Sequence, residues 1–360
     1  MKFRDLSLFC LCVAALISGR ADAKCQLTRY FTLHAVVEGN QILIPGRLGG
    51  EPVKFLFDTS FPGSVVMGPT AKRLGLELLD FRTVQENPIR SLIGHTETGA
   101  EGGAIAPEFD LDGHTVRHAL FAMFGDRDSF GGTDVAAVLG ADYWSQYEVD
   151  IDLAKGEINL LKAEDCDDVN LAYWAQDYNV VDLHTANYQS RFESELNGRK
   201  LMTILDSGSP FSSLTRRGAS MAGPPLDKEI DADVWHPGQQ ATDLLSLTKL
   251  TYGLGTRMSA NLVADGNVDL INLDPVARTT VANFGSFKLD EEVIKPARFR
   301  IVPTPKAKPE TGSLVGMRYF DYDVVLGVDF LLAHHVLIAN NQHKLYFSYS
   351  GGKALQTVSK

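Results

Sequence analysis

Leu201-Met-Thr-Ile-Leu-Asp206-Ser-Gly-Ser-Pro-Phe-Ser-Ser213-Leu214 decides how this chain is read, because it has a partner. Val53-Lys-Phe-Leu-Phe-Asp58-Thr-Ser-Phe-Pro-Gly-Ser64-Val-Val66 says nearly the same thing. In each, an apolar run delivers one aspartate, and a hydroxyl residue follows at once. An apolar strand is a costly place for a carboxylate, because burial disfavours the charged form. A chain that does this twice in matching contexts is expected to bring the two carboxyls together, and paired carboxyls are a device for acid–base chemistry.

The likeness extends outward from the two aspartates. Upstream of each lies a turn glycine, Gly50 in Leu48-Gly-Gly-Glu51 and Gly198 in Leu196-Asn-Gly-Arg199, set between extended runs as in a β-hairpin. Further upstream, Leu33-His34 matches Leu183-His184. Downstream, Phe109-Asp-Leu-Asp112 matches Phe287-Lys-Leu-Asp290. Ala137-Val-Leu-Gly140-Ala-Asp-Tyr-Trp144 is then echoed by Val325-Leu-Gly327-Val-Asp-Phe-Leu331. A closing strand pair follows each, Val149–Asp152 with Glu157–Leu161 and Val336–Ala339 with Lys344–Phe347. The chain is therefore an internal duplication. Its segments are short, rich in β-branched and aromatic residues and bounded by turns, so the expected class is all-β with few short helices. Residues 70–78 and 142–146 are the expected helices. Copy two is longer, with the surplus in 219–250 and in the Pro/Lys-rich stretch 295–309, both read as surface loops. The expected division is a signal peptide at 1–23, one lobe at 24–168 and a second at 169–360.

Bulk properties bound the function. With 360 residues, 44% hydrophobic and 22% charged, the chain has the composition of a soluble globular protein. Its formal net charge of −11 argues against nucleic-acid binding. Lys2 and Arg4, the apolar run 6–17 and Ala21-Asp22-Ala23 form an export signal with cleavage after Ala23. The run is too short to span a membrane, and none follows that is long enough. Export to a periplasm or to the medium is expected. Of the four cysteines, Cys25 and Cys166 survive cleavage. A disulfide between them is expected, two free thiols being the alternative. It would close a loop of about 140 residues, worth about 4–5 kcal/mol in the chain-entropy model.

These motifs resemble those of aspartic proteases of the pepsin/retropepsin type, in the bacterial form that fuses two retropepsin-like lobes. The signature there is Asp-Thr/Ser-Gly after an apolar strand in each lobe, followed later by an apolar-apolar-Gly turn. Asp206-Ser207-Gly208-Ser209 fits it fully, Asp58-Thr59 fits, and Val138-Leu139-Gly140 and Val325-Leu326-Gly327 supply the two turns. The resemblance covers nearly all of the chain beyond residue 23. It implies two β-barrel lobes flanking a cleft. It implies an endopeptidase in which Asp58 and Asp206 activate a water, with a peptide or protein as substrate, no cofactor, no metal and no second subunit needed. It also implies that Thr59 and Ser207 cross-link the Asp loops, that Gly208, Gly140 and Gly327 support them, and that 92–106, with Gly99, Gly102 and Gly103, forms a flap. A catalytically silent relative that binds peptides or a partner protein is the alternative of the same fold.

The first loop departs from the pattern. Ser60 stands where the signature has glycine, and Phe61 where a small residue is usual. Phe61 either narrows the cleft or points into its lobe. Asp142 and Asp329 are expected to cap the short helices after the Leu-Gly turns, and Ser64 and Ser213 to hydrogen-bond within their loops. His114 and His118 share a strand without a third ligand in view, and His334-His335 reads as structural.

Overall fold

The computed structural model describes residues 25–61, 63–79, 102–124, 135–186, 189–230, 280–302, 322–352 and 354–355. The proposed signal 1–23, residues 92–101 of the expected flap with Gly99, and residues 231–250 and 303–309 of the two expected loops of copy two lie outside them. The described parts of those loops are not loops throughout, since 219–222 close a helix and Asp227–Ile230 and Ala297–Val302 are strands held by pairing in the second lobe's sheet. What is described is mostly β, in two barrel-like lobes joined by a shared sheet.

Both copies begin with the same hairpin. β3 (Gln41–Leu48) turns into β4 (Glu51–Phe57), and β14 (Gln189–Leu196) into β15 (Arg199–Leu205). The connections are two residues long with positive φ throughout, Gly49 and Gly50 at 59° and 82°, Asn197 and Gly198 at 50° and 75°. That is the geometry a tight hairpin requires and glycine or asparagine supplies. In the first lobe, β3–β4–β9–β5–β8–β7 closes on itself through β7 (Gly102–Leu111) pairing back to β3. Here β5 is Val65–Met67, β8 His114–Phe124 and β9 Val135–Leu139. In the second lobe the equivalent strands curl without closing, in the order β17 (Asp227–Ile230), β18 (Thr280–Phe284), β21 (Ala297–Val302), β16 (Ser213–Thr215), β22 (Val324–Leu326), β15, β14, β19 (Phe287–Leu289) and β20 (Glu292–Ile294).

The duplication is visible in the pairing. β4 runs parallel to β9, with Phe57 opposite Leu139. β15 runs parallel to β22 (Val324–Leu326), with Leu205 opposite Leu326. Asp112 and Asp290, both at φ 51°, each accept a backbone N–H from the start of their own copy, His34 N at 2.6 Å and Val180 N at 3.0 Å.

The third sheet joins the copies. Its order is β1 (Gln26–His34), β11 (Glu157–Glu164), β10, β23, β24 (Lys344–Tyr349) and β12 (Asn179–Asp182), three strands from each copy. β10 (Glu148–Asp152) and β23 (His334–Ala339) meet antiparallel at its centre, Ile151 opposite Val336. Across this seam His335 Nε2 meets the buried Asp150 carboxylate at 2.5 Å, and Trp174 stacks on the same imidazole at 4.0 Å. Asp150 also accepts from Asn159 and from the Tyr173 hydroxyl. His335 thus ties the lobes together, in keeping with the structural role expected of it. His334 bonds Phe330 O and Glu292 in its own lobe. Cys25 and Cys166 form a disulfide beside the pair Gln26–Glu164, tying the first strand of copy one to its last.

The helices differ from expectation by a few residues. α1 is Gly68–Arg73 rather than 70–78. It starts early because Pro69 is well suited to a first helical turn, and it ends because Gly75 is left-handed at φ 66°. Residues Glu77–Leu79 then form β6 against β7. α2 is Ala141–Trp144, α3 Arg216–Ala222 and α4 Val328–Leu331. No helix among the described residues is long and apolar enough to cross a membrane.

Candidate active site

Each aspartate leaves the end of an apolar strand and is caught at once by the Leu-Gly turn of its own lobe. Asp58 N donates to Leu139 O at 3.0 Å, and Asp206 N to Leu326 O at 2.9 Å. The next backbone step is also shared. Ala141 N donates to Phe61 O, and Val328 N to Ser209 O, each at 2.8 Å. This approach leaves no room at the turn glycines. A Cβ on Gly140 would fall 2.7 Å from Gly63 O, and one on Gly327 2.6 Å from Ser209 O. The supporting role expected of both glycines therefore has a steric cause.

A second layer sits behind each loop. Ser64 Oγ accepts from Gly140 N at 3.1 Å and donates to Asp142 Oδ1 at 2.8 Å. In copy two the same task falls to Ser212, not to the expected Ser213. Its Oγ accepts from Gly327 N at 2.9 Å and donates to Asp329 Oδ1 at 2.7 Å. Ser212 stands at the same offset from Asp206 as Ser64 from Asp58, which is the signal that identifies it. Asp142 and Asp329 do not cap their helices as expected. The cap positions are Gly140 and Gly327, without a side-chain bond, and the carboxylates sit in the first turn facing these serines. Burial raises the pKa of both, Asp329 to about 6.

The two loops are laced together by Thr59 and Ser207. Thr59 Oγ1 donates to Leu205 O at 3.1 Å and accepts from Ser207 N at 3.0 Å. Ser207 Oγ donates to Phe57 O at 2.7 Å and accepts from Thr59 N at 2.9 Å. All four bonds cross from one copy to the other, and both residues are fully buried.

The lacing brings the carboxyls to one point. A Cβ placed on Gly208 would lie 2.3 Å from Asp58 Oδ2 and 3.2 Å from Asp206 Oδ1. Only glycine fits between them. Asp58 is fully buried, and Asp206 keeps 7% exposure. Asp58 Oδ1 accepts three bonds, from Ser60 N at 2.8 Å, Ser60 Oγ at 3.0 Å and Phe61 N at 3.0 Å. Asp58 Oδ2 is buried with no hydrogen-bond partner. Asp206 accepts from Gly208 N at 2.9 Å. Burial lifts the pKa of Asp58. Burial, and then the neighbouring Asp58 charge, push Asp206 up to about 8. Two carboxyls so placed cannot both ionise readily near neutrality.

Of the two directions expected for Phe61, the structure shows the second. It is buried in its own lobe with Leu43, Leu56, Val65, Met67 and Val138. The sequence gives no warning of Trp144, whose indole N–H donates to Asp58 O at 3.0 Å and steadies the first loop from behind. Of the glycines expected in a flap, Gly102 and Gly103 are buried in β7, opposite Met123 and Ala122 of β8. His114 packs edge-on against Phe31, and the described residues hold no cluster of three or more potential metal ligands. No family model and no curated protein matches the chain.

Proposed function

We infer that this chain is an exported aspartic endopeptidase of the pepsin/retropepsin type, with Asp58 and Asp206 as its catalytic pair. The observation that carries the reading is the meeting of two buried carboxyls around Gly208, held by four hydrogen bonds between two copies of one loop. Such a pair holds one proton between its members. The ionised member takes a proton from a bound water as the water oxygen bonds to the scissile carbonyl carbon. The protonated member gives its proton to the carbonyl oxygen. Collapse of the resulting diol breaks the C–N bond, and the nitrogen leaves with a proton returned through the pair. No covalent intermediate with the protein forms. The titration belongs to the pair, so neither aspartate has a fixed role.

Residues 1–23 are read as the export signal, with the chain working in a periplasm or outside the cell. The Cys25–Cys166 bond and the lack of a membrane-spanning helix among the described residues are compatible with that reading. A single chain supplies both carboxyls, so a monomer suffices.

The full burial of Asp58 favours a second reading, a silent relative that binds an extended peptide without cutting it. Hydrolysis of a denatured-protein peptide library from about pH 3 to about pH 8 separates the two. The endopeptidase reading requires cleavage by the wild type and its loss in both Asp58→Asn and Asp206→Asn. Cleavage by neither wild type nor variants, with peptide retained on all three, establishes the binder.

A further inference from the structure

We propose that the second lobe reads an acidic side chain of the bound peptide, with Arg300 as the specificity-determining residue. The proposal rests on the reading of Asp58 and Asp206 as the pair across which that peptide lies. It comes from one row of residues that both copies share. In copy one the strand pairings set Leu43 opposite Leu56, Leu56 opposite Val138, Val138 opposite Val65 and Val65 opposite Ala122. In copy two the same pairings give Arg191, Ile204, Val325, Ser213 and Arg300. Residues directly opposite each other share a face of a sheet, and so do residues two apart in a strand. Asp58 and Asp206 lie two residues beyond Leu56 and Ile204, so each row is on the face that carries the aspartate. The other face, with Phe57 and Leu205, belongs to the lobe core.

All five residues of the first row are buried in one apolar cluster. The second row keeps Ile204 and Val325 in its middle and carries arginine at both ends. Two residues before Arg300, Arg298 takes the place that Leu120 has in copy one. Three guanidiniums thus share one face of a chain whose formal net charge is −11. Arg191 is buried and donates to Gln189 Oε1 at 3.0 Å. Arg298 shares its pairing row with Asn283 and Asp227, and Asn283 donates to Asp227 Oδ1 at 2.7 Å. Arg300 is half-buried, and its guanidinium lies over the Phe211 ring, 4.2 Å from the centroid. Phe211 belongs to the Asp206 loop, and its backbone packs against Gly327. The ring holds the guanidinium without using its N–H donors. With five of those, the side chain can take a carboxylate in a bidentate pair beside the partners it has within the chain. An extended peptide presents alternate side chains to one face, so the selection falls on a particular position and not on the peptide's overall charge.

The test measures kcat/KM for a cleaved peptide in which Glu, Gln or Lys is placed in turn at each position flanking the cut. It is run at pH ~6, where an exposed glutamate is ionised. Retention of the same peptides is followed in parallel by fluorescence anisotropy. Wild type should favour glutamate over glutamine by about tenfold or more at one position. Arg300→Ala, which matches Ala122 of copy one, should abolish that preference. Arg300→Gln, closer in size and still polar, should do the same and serves where the alanine variant does not fold. Arg300→Glu should turn the preference towards lysine. A wild type indifferent to charge at every position overturns the proposal and leaves the protease reading standing. So does a glutamate preference that survives in the folded variants, even if their rates fall uniformly, since a merely structural arginine would act in that way. If nothing is cleaved but glutamate peptides are retained in an Arg300-dependent way, acid recognition stands and the protease reading falls. If peptides are neither cleaved nor retained, both fall.

Discussion

The Asp58 loop and the Asp206 loop make the same backbone contacts and differ in what fills the space between them. Each is caught by a Leu-Gly turn, rests on a serine that holds a carboxylate (half-buried Asp142 in the first, buried Asp329 in the second), and sends one hydroxyl across to the other copy. At the contact itself the symmetry ends. The second loop offers Gly208, with no side chain, and the first offers Ser60, whose hydroxyl bonds Asp58. One position later, Phe61 anchors the first loop in its lobe, whereas Ser209 turns back to Phe211 O in the second. Trp144 braces Asp58 O from behind, and Leu331 at the equivalent position has no side-chain N–H to offer. The first carboxyl is fully sealed and the second is slightly exposed. Two loops can meet tightly if one of them stays bare, and the bare side here is the second.

The comparison breaks most completely at the carboxyls themselves. On the proposed endopeptidase reading, Asp58→Asn and Asp206→Asn should each lower kcat by at least ~10³-fold in steady-state peptide hydrolysis, because either change removes the shared proton's partner. Unequal losses would show that the two copies had divided the acid and base roles.

The next effect belongs to Gly208. Alanine there places a carbon 2.3 Å from Asp58 Oδ2, so the loops must separate. Gly208→Ala should cost about 10²-fold in kcat/KM through misplacement of the carboxyls, and about 1–3 kcal/mol in urea-denaturation stability. Gly208→Ala behaving as wild type would show that both sides of the contact can carry a side chain, and the asymmetry would lose its steric basis.

The shape of this site was partly legible in the chain because its logic is covalent order. Equal offsets from Asp58 and Asp206 named Thr59 and Ser207, the repeated Leu-Gly turn named Gly140 and Gly327, and short apolar strands bounded by turns pointed to the all-β lobes. Ser212 was open to the same counting, although Ser213 stands next to it and reads as well in isolation. Trp144 and the direction of Phe61 were not legible. Both are set by which lobe interior a side chain meets after the sheet has curled, and local periodicity carries no record of that. The helix bounds failed for a related reason. Residues 77–79 pair with β7, and a distant strand outweighs a short helical propensity.

Acidity sharpens the comparison in a third way. Asp206 is pushed up to about 8 by burial and by Asp58. In the unfolded chain an aspartate ionises near pH ~4. Its folded pKa is the higher, so the folded state binds the proton more tightly. The stabilisation from that proton is complete below pH ~4 and is lost as pH rises through about 8. Thermal midpoints measured across this range should fall for wild type relative to Asp206→Asn, which has no proton to lose there. Asp329, raised to about 6, contributes a smaller fall of the same sign that ends earlier. On the proposed endopeptidase reading, activity should persist to near neutrality and decline as pH passes about 8, when the pair loses its last proton.

The smallest effect tests the cross-link, where the copies are most alike. Thr59 and Ser207 each donate to a backbone carbonyl of the other copy and accept from the other's N–H. Thr59→Val leaves Leu205 O and Ser207 N unpaired in a buried seam, and Ser207→Ala leaves Phe57 O and Thr59 N. Each should cost about 1–3 kcal/mol in denaturation stability. The double variant should cost less than the sum, since the four bonds form one closed network. The bonds of Ser207 are the shorter set, 2.7 and 2.9 Å against 3.1 and 3.0 Å for Thr59. Ser207→Ala should therefore be the more damaging of the two. The reverse order would mean that Thr59, beside the sealed carboxyl and the Trp144 brace, bears more of the join than its longer bonds convey.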